Sequence, residues 1–203
     1  MKRSLLLPIT LLTAFLFLGC RSEVNYSKAL FQHIPDDPEL LVLVRPNDLA
    51  AVADTAVNEL KIPELLGTEL NIDLKNIERY TEMAVKMMEA LGIPWPQVES
   101  VGFLLYFQKP VLLVSGKFKQ ADVAAKMTEL GFKQGDNGFF DYVYNDFKVS
   151  IPADGLIMLA EEMLLEDLAS VPKENRLWNR DDFAEYRKSS PLGNSLFLWG
   201  RAP

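Results

Sequence analysis

The stretch from Gln97 to Phe118, QVESVGFLLYFQKPVLLVSGKF, constrains the fold more than any other part of the chain. Two short apolar runs stand on either side of Gln108-Lys109-Pro110, and neither is long enough for a membrane helix. They read as two β segments, and so tight a connection turns the chain back antiparallel. Pro110 has no N–H to donate, so it is tolerated only at a strand end or sheet edge. A meander follows in GFFDYVY, DFKVSIP and GLIMLAEE, with Asn145-Asp146 and Ala153-Asp154-Gly155 as turns. Phe147 to Ile151 alternates as a half-buried strand should, and Val143, Val149 and Ile151 favour β structure.

Helical spacing brackets these strands. Leu74, Ile77, Thr81, Ala84, Val85, Met88 and Leu91 line one face of a helix that Gly92 and Pro94 end. Ala124, Met127 and Leu130 mark another, stopped at Gly131. Glu162 to Ala169 and Asp181 to Lys188 are two more. Upstream, LLVLV before Pro46 reads as a strand buried on both faces. Asn47 caps a helix carrying Leu49, Val52, Ala53, Ala56, Val57 and Leu60, which Pro63 stops. SLFLWG near the C-terminus is a last strand. The expected fold class is α+β: an antiparallel sheet of hairpin and meander with helices packed on one face. A ferredoxin-like or related split arrangement is one candidate topology.

The N-terminus has a different character. Lys2 and Arg3 precede a charge-free run, Ser4 to Gly19, that is short for a membrane span and contains Pro8. A positive start, an apolar core and small residues at its end describe a secretory signal. Cys20, the only cysteine, follows Gly19 at once. This arrangement resembles the lipobox of bacterial lipoproteins, with Phe17 and Leu18 in place of that family's usual residues at −3 and −2. The resemblance implies cleavage before Cys20, acyl chains on its thiol, and attachment to the membrane through lipid. Arg21 at +2 is not the aspartate that retains enteric lipoproteins at the inner membrane, so outer-membrane delivery is favoured. The resulting domain organisation is a signal peptide over 1–19, a polar tether over 20–33 and an α+β domain over 34–203.

Without Lys2 and Arg3 the body has 19 basic against 28 acidic side chains, a charge of −9 that argues against nucleic acid or anionic lipid as a partner. A single cysteine forms no internal disulfide. His33, the only histidine, falls in the tether, which makes histidine-dependent serine or cysteine catalysis improbable. Zinc sites lack ligands. Asp136, Asn137 and Asp141 offer calcium-type oxygens, but their spacing fits a hairpin turn better than an EF-hand loop. Met83, Met87 and Met88 at helical spacing read as core filler. Trp178 reads as cover for a helix and Trp199 as strand core. Trp95, held between Pro94 and Pro96 in a stiff extended segment, either packs over the sheet end or contacts a partner.

No catalytic, cofactor or metal residue is assigned. The expected function is that of a lipid-anchored envelope protein, a binding or structural module for another envelope protein or a glycan. A carboxylate-dependent envelope hydrolase is the alternative, since its acids can come from anywhere in the sequence. Finally, Ser190 to Arg201 aligns without gaps on Ile34 to Arg45, pairing Pro191 with Pro35 and Leu196 with Leu40. The echo suits a tandem repeat, loosely similar to envelope lipoproteins whose exported part is a tandem α+β duplication. It also suits a last strand that completes one domain, with Leu196, Phe197, Leu198 and Trp199 buried within the same sheet as LLVLV, and this second outcome is the favoured one.

Overall fold

The computed structural model describes residues 28–45, 85–141, 147–189 and 196–200. Its frame is an antiparallel sheet built from β1 (Leu40–Val44), β2 (Val98–Tyr106), β3 (Lys109–Gly116), β4 (Phe140–Asp141), β5 (Phe147–Ala153), β6 (Leu156–Glu161) and β7 (Leu196–Gly200). The spatial order is β4-β5-β6-β3-β2-β1-β7. β1, β2 and β3 lie side by side in chain order, so the interleaving that a ferredoxin-like arrangement requires is absent. Helices are α1 (Lys28–His33), α2 (85–91), α3 (Gln120–Glu129), α4 (Glu162–Ser170) and α5 (Asp181–Ser189). The α+β class expected from the sequence is the observed one. Cys20, Asn47 with the helix after it, Met83 and the turn at Asn145-Asp146 lie outside the described residues.

The apolar runs in the middle of the sheet send successive side chains to opposite faces. Val111 and Leu113 of β3, with Leu156, Met158 and Ala160 of β6, join a cluster with Leu30 and Phe31 of α1, three leucines of α4, and Phe183 of α5. This is the helix layer on one face. Leu112, Val114, Ile157 and Leu159 point the other way and meet Met87, Met88 and Leu91 of α2 and Val123 and Met127 of α3. Burial on both faces explains why VLLV and LIMLA are continuous apolar runs. β1 departs from the both-faces expectation. Leu41 and Leu43 are fully buried, but Leu40 and Val42 are only half-buried, and among the described residues none from β1 joins the second cluster.

Glycine ends two helices as expected, by the same hydrogen bonds. At α2, Gly92 N–H donates to Glu89 O (3.1 Å) and Ile93 N–H to Met88 O (3.0 Å), with Gly92 at φ 67°. At α3, Gly131 N–H donates to Thr128 O and Phe132 N–H to Met127 O, with Gly131 at φ 86°. Each is a Schellman ending, and each brings an apolar residue after the glycine to the second cluster. Pro110 pairs with Leu105 one step from the hairpin turn, beyond the Leu112–Ser115 stretch that bonds β6. No ladder bond is lost there.

One expectation is overturned. Residues 28–33 are not tether: they form α1, and Leu30, Phe31 and the following Ile34 have no exposed surface. The chain here is laced to residues 175–180. Leu177 N–H donates to Ile34 O (2.9 Å), Asp36 N–H to Asn175 O (3.0 Å) and Arg180 Nη1 to Asp36 O (2.7 Å). Arg176, 7% exposed, donates from Nη1 to His33 O (2.9 Å) and from Nη2 to Val171 O (2.5 Å). It thereby satisfies carbonyls at the ends of α1 and α4, where a cation is favoured. The C-terminal strand is settled more simply. β7 pairs with β1 from Leu196↔Val44 to Gly200↔Leu40, with Phe197 buried and Trp199 half-buried, so it lies in the same sheet as LLVLV.

Candidate binding cleft

At the end of the sheet where β2 begins and β3 stops, three connections converge. Ile93 and Pro94 leave the Schellman turn of α2, and Trp95–Gln97 make one 3₁₀ turn closed by Gln97 N–H to Pro94 O (2.8 Å). Trp95 is therefore in a helical turn rather than the extended segment expected. Its ring is half-buried against the second cluster. The segment is tied to the end of β3 by Lys117 N–H to Gln97 O (2.7 Å).

The β5–β6 turn closes the other side. Gly155, at φ 72°, donates its N–H to Phe118 O (2.8 Å) and accepts from Gly116 N–H (3.0 Å). A Cβ at Gly155 would collide with the Gly116 carbonyl, so glycine is needed for both the conformation and the approach. Asp154, beside it, accepts from Gln120 N–H through Oδ1 (2.8 Å). It serves as the N-terminal cap of α3, a position at which Lys119 supplies no side-chain bond.

Together these elements enclose an open cleft of about 680 Å³, the size of a small-ligand or side-chain site. Leu91, Ile93, Pro94, Phe118 and Val123 form apolar walls, while Lys117, Lys119, Asp122 and Asp154 bring charge. Asp154 is occupied by the helix end. Among the described residues neither Lys117 nor Lys119 is in an ion pair. Lys117 stands at the bend where β3 ends and Lys119 is extended (φ −94°, ψ 140°) just before α3, so the two lysines lie on either side of Phe118 on the cleft lining. Two exposed lysines thus stand beside an apolar surface in an otherwise acidic protein.

The other residues singled out by the sequence are elsewhere. Asp136 and Asn137 lie in a turn in which Gly138 N–H bonds Gly135 O (2.9 Å), and Asn137 Oδ1 accepts from Phe139 N–H (3.2 Å). Asn137 also donates to Glu162 (2.7 Å), while Asp141 and Glu162 both face Lys148. Bonding to Asp141 holds the Lys148 ammonium above its usual range. His33 ends α1, its Nδ1 2.7 Å from Ala29 O. Met87 and Met88 are buried in the second cluster. Trp178 packs on the first cluster beneath the Arg187 guanidinium, 3.7 Å from the ring centroid. Trp199 meets Phe183 edge-on at 5.1 Å.

The sequence reading missed Lys117 and Lys119. Their only local signal was the KFK triplet after a glycine, which alone does not distinguish a cleft rim from an ordinary loop. It also missed Arg176 and Tyr106. Burial pushes the Tyr106 hydroxyl above its usual titration range, with Asp37 and Asp167 adding to the effect, and desolvation lowers Arg176.

No protein-family model and no curated protein sequence matches the chain. Among solved structures it is similar to TP0453. Crystal form III of that protein aligns with a TM-score of 0.40 and 12% identity, over 83% of this chain and 61% of that one. Form IV aligns at 0.43 and 12%, and form I at 0.40 and 10%. The present chain spans about three-fifths of the TP0453 chain's length.

Proposed function

We propose that this chain is a bacterial envelope protein held to the membrane by lipid on Cys20, whose α+β body binds another envelope component in the cleft beside Trp95. The observation that carries the reading is the charge-free run after Lys2 and Arg3 that closes on Gly19 and the single cysteine. Among the described residues no helix is long and apolar enough to cross a membrane, and α1 enters the fold only eight positions after Cys20. Arg21 favours the outer membrane over the inner. The cleft supports binding of a protein or glycan: it is open, has apolar walls, and its free charged groups are the two lysines and Asp122.

Two results test this. Cys20→Ser is expected to abolish incorporation of radiolabelled palmitate and to leave a full-length precursor; label retained in the variant refutes the anchor. For the cleft, Lys117→Glu with Lys119→Glu is expected to reduce the component that co-purifies from cross-linked envelopes at least tenfold. Both side chains are exposed, so the melting temperature should shift by no more than about 2 °C. Unchanged recovery refutes the cleft. Turnover of a glycan or peptide, lost on one Asp or Glu substitution, would instead establish the hydrolase.

A further inference from the structure

At the opposite end of the sheet from the cleft, β2 and β3 are joined by only Phe107 and Gln108, both at positive φ (50° and 58°). Two-residue hairpin turns of this kind normally carry Asn-Gly or Asp-Gly, because a side chain at positive φ crowds its own backbone. Phenylalanine and glutamine are poor choices for the turn itself. Strain kept at a definite place points to a role beyond folding.

The tip is also braced from both neighbouring strands while its aromatic ring stays in solvent. Phe107 is 64% exposed. Gln108 N–H donates to Glu39 Oε2 (3.1 Å), which braces the tip from the β1 side. Lys109 Nζ pairs with Glu161 Oε2 (2.6 Å), which braces it from β6. Behind it the Tyr106 ring lies with its centroid 4.3 Å from that of Phe107. Met163, 72% exposed, follows Glu161 by two positions at the start of α4.

Among the described residues the charges around this end are mostly acidic. Glu39 and Glu161 border the tip, and Asp167 and Asp36 lie close enough to the Tyr106 hydroxyl to add to the rise that burial gives its titration. Lys109 neutralises Glu161, Arg180 is paired with Asp182 beside the Asp36 carbonyl, and the Arg176 guanidinium is committed to backbone carbonyls. This leaves Glu39, Asp36 and Asp167 as the charges that set the sign here. Such a surface disfavours an anionic lipid layer and matches a basic one.

We propose that the β2–β3 tip is a docking knob for a protein partner, in which Phe107 fills an apolar pocket and the surrounding carboxylates meet a basic rim. An aromatic anchor carried on a braced turn, with the Tyr106 ring beside it, suits the centre of such an interface. The knob and the cleft lie at opposite ends of the sheet, so this inference stands independently of lipid on Cys20 and of what binds beside Trp95.

The test places the photo-cross-linking residue benzoylphenylalanine at position 107, and separately at exposed Leu130, in the full chain in its native cells. The expected result is one discrete protein adduct from position 107 and none from 130. That protein, identified by mass spectrometry and purified, should bind the full chain with an affinity that falls with added salt. The double variant Phe107→Asn, Gln108→Gly, which installs the favoured turn, should lose at least tenfold in that affinity. The same variant should melt about 4 °C higher or more, because the strain is removed. Phe107→Asn alone, which keeps Gln108, should also lose the affinity. Lipid adducts at 107, no discrete adduct, a double variant that binds as tightly as the parent, or one that melts no higher would each overturn the proposal.

Discussion

Replacing Phe31 by alanine is expected to destabilise the protein by about 3–5 kcal/mol, the range for deleting a fully buried aromatic ring. The ring has no exposed surface and lies 5.0 Å from Phe183 and 5.5 Å from Phe197, centroid to centroid. It therefore connects α1, α5 and β7, and none of these closes the space without moving the others. Urea unfolding should show the loss as a lower midpoint with an unchanged slope. Met163→Ala, at a position 72% exposed, is the matched control and should stay within about 0.5 kcal/mol of the parent. A Phe31→Ala protein as stable as the parent would return residues 28–33 to the tether.

Gly102→Val is expected to cost about 3 kcal/mol, the upper end for forcing atoms into a packed interior. Gly102 pairs with Leu43 on one side and Leu113 on the other. A Cβ there would collide with the Val42 carbonyl oxygen, which is backbone and cannot rotate away. Relief requires β1 to move from β2, and β7 bonds to β1. Amide exchange should therefore speed up in β1 and β7 more than in β5 and β6. Gly92→Ala separates clash from backbone strain: its φ is 67°, but no atom lies within 4 Å of the added Cβ. That change should cost only about 1 kcal/mol. Equal losses at the two positions would contradict the close approach of β1 and β2.

What sequence could and could not reveal follows from the range over which each feature is specified. The α2 and α3 endings were legible, because a Schellman turn needs only a glycine and an apolar residue next to it. The β2–β3 hairpin was legible from its two apolar runs, although the turn falls at Phe107-Gln108 and Lys109 and Pro110 belong to β3. The β5–β6 hairpin was legible from its runs and from Asp154-Gly155 at its turn. α1 was not. KALFQH is too short to display a helical period, and its carbonyls and apolar face are satisfied by residues about 140 positions later, Arg176 above all. The cleft was half legible: Trp95 stood out, but Lys117 and Lys119 acquire meaning only when the β5–β6 turn folds over Gly116.

By itself, then, the sequence determined the α+β class, the antiparallel pairing of neighbouring strands and the places where helices stop, because local backbone chemistry dictates all three. It also determined the continuous apolar runs of β3 and β6, whose second covered face became visible only with α2 and α3 in place. Tertiary structure alone decided that β3 pairs with β6, that β7 pairs with β1, and that α1 belongs to the core. Those contacts join residues far apart in the chain. Their register depends on which surfaces remain to be covered once the local elements exist, and no short stretch of sequence contains that information.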